Sequence, residues 1–145
     1  ILFFNGPEQI SSARERLDGY IRAHREQGVP YDAGRVHVIP VTATNYEPLR
    51  EVLTQSSPSA IICFSDILAL QTVRVLNRIR PGWKKNTVIA GFDNIKSFFP
   101  LPVSLISVGP AADSLGGRAA QTLLKLMRGE KVENTTVLHT RIFDE

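Results

Sequence analysis

The sequence predicts an α/β protein, a parallel open sheet with helices on both faces. Three observations carry that prediction. Short apolar runs alternate with amphipathic stretches along all 145 residues, and parallel strands need crossovers of that kind. The stretch Thr87-Val88-Ile89-Ala90-Gly91-Phe92-Asp93-Asn94 is rich in β-branched residues, stops at a glycine and then presents an aromatic and two polar side chains. It reads as a buried strand with a polar tip. The run Ala60-Ile61-Ile62-Cys63-Phe64 ends in the same manner at Ser65-Asp66 and leads straight into an apolar-periodic segment. Ligands of open parallel sheets collect beyond the carboxyl ends of the strands, so two polar-tipped strands imply one shared rim.

The elements follow in order. Residues 1–4 form a strand, Asn5-Gly6-Pro7 a turn, and Ser11 or Ser12 caps a helix with Glu15 available for a capping box. Ala13, Leu17, Tyr20, Ile21 and His24 share one helical stripe, which Gly28-Val29-Pro30 terminates. Residues 36–41 read as the second strand. Tyr46, Leu49, Val52 and Leu53 line a shorter helix that stops near Ser56-Ser57-Pro58, before the strand that opens at Ala60. Asp66 is a good cap for a helix bearing Leu70, Val73, Leu76 and Asn77, which ends before Pro81-Gly82. After the Thr87 strand come a loop crowded with Phe98, Phe99, Pro100 and Pro102, a strand at 104–108, and a last helix carrying Leu115, Ala119, Leu123 and Leu126. An alternating stretch, 136–143, closes the chain. No internal repeat or low-complexity tract interrupts it.

Composition sets limits. With 43% hydrophobic residues the chain can bury the core of one ordinary domain. Seventeen Lys and Arg against fourteen Asp and Glu give a formal charge of +3, but basic and acidic residues intermingle, as in Arg14-Glu15-Arg16. No dense basic stripe marks a DNA-binding face. Cys63 lies in an apolar run far from any histidine in sequence, so a buried inert thiol is the better reading than a nucleophile. One cysteine excludes a disulfide framework and fits a reducing compartment. No run of about 18 apolar residues or leader pattern suggests a membrane span or export. The opening Ile1-Leu2-Phe3-Phe4, strand-like from its first residue, reads as a piece of a longer protein.

Catalytic constellations are weak. His24, His37 and His139 lack metal-ligand spacing and read as partly exposed structural histidines. Neither a phosphate loop nor G-x-G-x-x-G is present, and Leu115-Gly116-Gly117-Arg118 lacks the lysine such a loop needs. Asn134-Thr135-Thr136 matches a glycosylation pattern that means little without export. The expectation is therefore no enzyme, no metal and no cofactor.

Binding chemistry is better served. A polyhydroxylated or heteroaromatic ligand needs charged forks for neighbouring hydroxyls or ring nitrogens and aromatic faces for its apolar side. Arg16, Asp93, Asn94, Asn5, Ser12, Ser65 and Tyr46 supply these if the strand tips converge. Plainer roles stand beside them: a solvated helix arginine for Arg16, a helix cap for Asp66, cover for a helix edge for Tyr46.

Three motifs then carry a resemblance. Ser12-Ala13-Arg14-Glu15-Arg16-Leu17-Asp18-Gly19-Tyr20, the run from Pro58 through Phe64-Ser65-Asp66 to Leu70, and Val88-Ile89-Ala90-Gly91-Phe92-Asp93-Asn94 resemble, in order and spacing, successive signatures of the lactose-repressor (LacI/GalR) family of transcription regulators. Asp113-Ser114-Leu115-Gly116 with Ala119 resembles the next block, so the likeness covers essentially the whole chain. It implies a lobe of the type I periplasmic-binding-protein-like effector domain: residues 1–108 as the C-terminal lobe, 109–133 as the segment that crosses to the N-terminal lobe, and 134–145 as the return strand. The helix-turn-helix domain and N-terminal lobe that come first in full members are expected to lie outside this chain.

Position by position, Arg16 resembles the arginine that forks onto effector hydroxyls or carboxylate, and Asp93 the aspartate that accepts from the ligand. Tyr46 stands where an aromatic stacks on the effector, and Ser12 where a hydroxyl lines the pocket. Ser65 occupies a position often held by asparagine in sugar-responsive members, and Pro110, Ala111 and Ala112 replace a segment that often carries a glutamine. Those departures leave the effector's identity open. The resemblance implies a sugar-responsive, homodimeric, cytoplasmic regulator that meets operator DNA through its helix-turn-helix domain. A lobe of a periplasmic sugar-binding protein of a transporter is the alternative, and a small α/β enzyme a more distant one.

Overall fold

A computed structural model describes residues 1–40, 46–98, 100–101, 103–110 and 114–144. Six strands form one sheet in the order β2-β1-β3-β4-β5-β6. They are β1 (Leu2–Asn5), β2 (Val36–Val38), β3 (Ala60–Cys63), β4 (Val88–Phe92), β5 (Ile106–Gly109) and β6 (Arg141–Phe143). The first five run parallel, and β6 pairs antiparallel to β5 with Val108 opposite Ile142. The helices are α1 (Ser11–Glu26), α2 (Glu47–Gln55), α3 (Asp66–Ile79) and α4 (Ser114–Met127). The expected α/β architecture is thus present, with one antiparallel edge strand added.

Residue alternation along β1 explains the layers. All four residues of β1 are buried, because both faces of this inner strand are covered. Leu2 and Phe4 join Ile61, Cys63 and Ile89 in the main core under Leu49 and Leu53 of α2 and Leu68, Val73 and Leu76 of α3. Phe3, pointing to the opposite face, stacks on Tyr20 of α1 at 5.1 Å between ring centroids. The α1 crossover moves outward from β1 to β2, whereas the α2 and α3 crossovers run back from β2 to β3 and on to β4. Right-handed connections therefore put α1 on one face and α2 and α3 on the other. The direction reverses between β1 and β3, which is the switch point of the sheet.

Several boundaries differ from the sequence expectation. The second strand stops at Val38; β2 lies at the edge, paired only with β1. The closing strand is confined to Arg141–Phe143, the residues that pair with β5. Neither Ser11 nor Ser12 caps α1. The preceding turn, where the Ile10 amide donates to the Pro7 carbonyl at 3.0 Å, makes Ile10 the capping residue without a side-chain bond. Asn77, expected on the buried stripe of α3, is exposed and accepts a 2.8 Å hydrogen bond from the Trp83 indole. Phe99, Pro102, Ala111, Ala112 and Asp113 fall outside the described residues.

Candidate functional site

The carboxyl ends of β1, β3 and β4 converge as the sequence implied. Arg16, one turn beyond Ser12 on α1, reaches across the switch point, and its Nη1 donates to the Phe64 carbonyl just past β3. Its Nη2 meets Asp93 Oδ1 at 3.2 Å beyond the end of β4. Two aromatic rings contact the guanidinium: its Cζ lies 4.7 Å from the Phe64 ring centre and 4.4 Å from that of Phe92. Gly6, just past β1, lies close under the first of these rings: a Cβ there would stand 3.0 Å from the Phe64 ring. Sequence proximity could not have paired Arg16 with Asp93; the strand-tip rule did.

Asp93 is presented by an unusual turn. Both Asp93 and Asn94 have positive φ, 99° and 51°, which costs of the order of 1–3 kcal/mol per residue for side chains other than glycine. Three successive amides are tied down in compensation. Asp93 N–H donates to the Val108 carbonyl at 2.9 Å, Asn94 N–H to Ser107 Oγ at 2.9 Å, and Ile95 N–H to Asp66 Oδ2 at 3.0 Å. Ser107 Oγ–H in turn donates to the Asp66 carboxylate, whose two oxygens both lie at 2.8 Å. Lys96 of the following turn sits 5.9 Å from the Phe143 ring, linking it to β6.

Asp66 therefore does not cap α3. Ser65 does, its Oγ accepting from Leu68 N–H at 3.2 Å, because Ser65 has the extended backbone of a capping residue and Asp66 is already helical. The Asp66 carboxylate, fully buried, is free to turn toward β4 and β5. Burial pushes its pKa up, against the lowering effect of the Ile95 and Ser107 hydrogen bonds.

The remaining candidates are arranged less compactly. Ser65 is at the rim, but its oxygen is engaged in capping. Ser12 is half-buried in the first turn of α1 and shares a helix face with Arg16, four residues on. Tyr46 precedes α2, packs on the main core and accepts a 3.3 Å hydrogen bond from Arg74 on α3. Asn5 is buried, with its side-chain oxygen accepting from Gly6 N–H at 2.9 Å. Cys63 is the inert thiol expected, with burial pushing its pKa to about 12. Among the described residues no cluster of three or more His, Cys, Asp and Glu has metal-binding geometry. Nor is any helix among them long and apolar enough to cross a membrane.

An arginine packed against two aromatic rings beside a half-exposed carboxylate places a donor and an acceptor together at the strand tips. Such a pair suits a ligand with neighbouring donor and acceptor groups.

Comparison with known proteins gives the family. Residues 1–143 match the family described as periplasmic binding protein-like domain. The transcriptional regulator AglR of Rhizobium meliloti is 34% identical over 80 residues, 54% of this chain and 22% of that protein. The arabinose metabolism transcriptional repressor of Halalkalibacterium halodurans is 23% identical over 126 residues, 83% of this chain and 34% of the repressor. The structure of the regulator CelR in complex with cellobiose superposes with a TM-score of 0.77 at 25% identity, covering 98% of this chain and 44% of CelR. The match thus spans less than half the length of each of these relatives. The chain belongs to the periplasmic binding protein-like domain family, and its relatives are transcription regulators of the LacI type.

Proposed function

We propose that this chain is the effector-sensing lobe of a LacI-type transcription regulator, that its effector is a sugar, and that it has no catalytic activity. The observation that carries the reading is the Arg16–Asp93 pair standing at the sheet's switch point. The arabinose repressor and the cellobiose-bound CelR support the choice of a sugar. Residues 1–108 act as one lobe, 109–133 cross to the second lobe of the longer protein, and 134–145 return. Arg16 donates to a sugar oxygen, Asp93 accepts from a hydroxyl, and Ser12, Ser65 and Tyr46 line the approach.

Sensing then works by population shift. A sugar held between two lobes favours one interlobe angle, and a cytoplasmic homodimer passes that angle to helix-turn-helix heads on operator DNA. A ligand can move the equilibrium only by its differential affinity for the two states, so the rim contacts must be better made in one of them.

The test is calorimetry on the full-length regulator with a panel of arabinose, cellobiose and other mono- and disaccharides. Removing the protein's half of a buried charge-assisted hydrogen bond costs about 1.5–3 kcal/mol, or roughly tenfold or more in affinity. Arg16→Ala and Asp93→Ala are each expected to weaken the best-bound sugar by at least that much. Unchanged affinity in both rejects the site, and a protein that binds no sugar in the panel rejects the ligand class.

A further inference from the structure

The turn that presents Asp93 is strained, and what holds it lies outside the rim itself. Asp66 belongs to α3, and its side-chain hydrogen bonds go to Ile95 and Ser107 rather than to Asp93 or Arg16. Its carboxylate accepts the Ile95 amide directly and, through Ser107 Oγ, governs the acceptor of the Asn94 amide. Two glycines make the room. A Cβ on Gly91 would stand 2.3 Å from Asp66 Oδ1, and a Cβ on Gly109 would stand 2.8 Å from Asn94 Cβ. So β4 and β5 are both stripped of side chains where the carboxylate and the turn pack.

We propose that Asp66 is a positioning residue: its carboxylate, together with Ser107, holds the 93–95 backbone in its positive-φ path and thereby aims the Asp93 side chain at Arg16. The value of this for ligand binding rests on the reading that Arg16 and Asp93 form the effector site. The positioning itself does not.

The alternative is that Asp66 merely satisfies buried amides and stabilises the fold. The two differ in what substitution does to the turn. Alanine at 66 removes the acceptor of Ile95 N–H and the anchor of the Ser107 hydroxyl. Asparagine retains an oxygen for Ile95 N–H and an N–H for Ser107 Oγ, without the charge.

The experiment uses the full-length regulator carrying this chain, with Asp66→Ala, Asp66→Asn and Ser107→Ala, and needs no effector. Crystal structures give the Arg16 Nη2 to Asp93 Oδ1 separation, 3.2 Å in the parent. Hydrogen exchange followed by mass spectrometry gives the protection of the 93–97 amides. Asp66→Ala and Ser107→Ala are expected to open the pair beyond the roughly 4 Å limit of an ion pair and to speed exchange in the turn by about tenfold or more. Asp66→Asn is expected to keep both near the parent.

If the alanine variants unfold more readily but leave the 93–95 backbone and the Arg16–Asp93 pair in place, the proposal is overturned. Should Asp66→Ala fail to fold, Ser107→Ala decides by the same two readings. A turn that moves as expected, in a protein whose sugar affinity ignores Arg16→Ala, would leave the positioning intact and remove the effector-site reading instead.

Discussion

Helices α3 and α4 are each fourteen residues long and each amphipathic, yet they fare differently. Eight residues of α3 are buried, from Asp66 in its first turn to Leu76. None of the described α4 side chains is, and Leu115, Leu123, Leu124, Leu126 and Met127 are each more than half exposed. An apolar stripe states that a helix needs a partner without saying where the partner is. For α3 it is the adjoining sheet and α2; for α4 the described residues leave the stripe exposed.

The sharpest way to break this comparison is to truncate one leucine on each helix. Leu76→Ala in α3 is expected to lower the unfolding free energy of the chain by about 2–5 kcal/mol, the usual cost of a large buried cavity. Leu123→Ala in α4, measured below the concentration at which the chain associates, should stay within about 0.5 kcal/mol, as exposed positions do. Denaturant titrations read both, and equal losses would mean that α4 is packed in solution.

A second test probes how tightly the start of α3 rests on β4. Gly91→Ala would force its new methyl against the Asp66 carboxylate and backbone, with an expected cost of about 1–3 kcal/mol from overpacking. An alanine tolerated without loss would show that this packing has slack.

The buried Asp66 carboxylate gives the α3 side a pH signature that α4 lacks. Its folded pKa is raised above the ordinary carboxylate value. Between the unfolded and folded pKa the native state binds more protons, so stability falls as pH rises through that window. The penalty is full above the folded value and absent below the unfolded one. Unfolding measured from neutral pH down into the carboxylate range should therefore show the parent gaining on Asp66→Asn as pH falls. A constant difference would contradict the shift.

The smallest effect per residue concerns α4 alone. Its exposed face is of the kind that associates, so the isolated chain is expected to self-associate at micromolar concentration by light scattering. Replacing Leu123 and Leu126 together by glutamate should return it to a monomer. A parent chain that is monomeric throughout would mean the bare face is tolerated in water.

What the sequence disclosed follows the reach of its signals. Strand tips are local: a glycine followed by an aromatic and polar residues announced Asp93, and the polar pair that ends the run from Ala60 announced Ser65. The Arg16–Asp93 pair, 77 residues apart, followed once a general rule put both beside strand ends. Asp66 was misread as a cap because Ser65 and Asp66 are both good capping residues. The choice between them depends on backbone angles and on Ser107, 41 residues away. Ser11 and Ser12 looked like caps for want of knowing that the Pro7 turn delivers the chain one residue early. Tyr46 drew its expected role from resemblance, while its hydroxyl is engaged by Arg74 of α3.

The contact of Arg16 with the aromatic rings of Phe64 and Phe92 has a consequence for binding energetics. A free arginine gives up most of its rotamer freedom when it grips a ligand, a cost of about 0.5–1.5 kcal/mol for a side chain of this kind. Here the two rings, the Phe64 carbonyl and Asp93 have already removed that freedom during folding. A ligand arriving at the strand tips meets a guanidinium that need not be caught first. A lysine at position 16 would keep the charge and lose the flat surface on which that immobilisation depends.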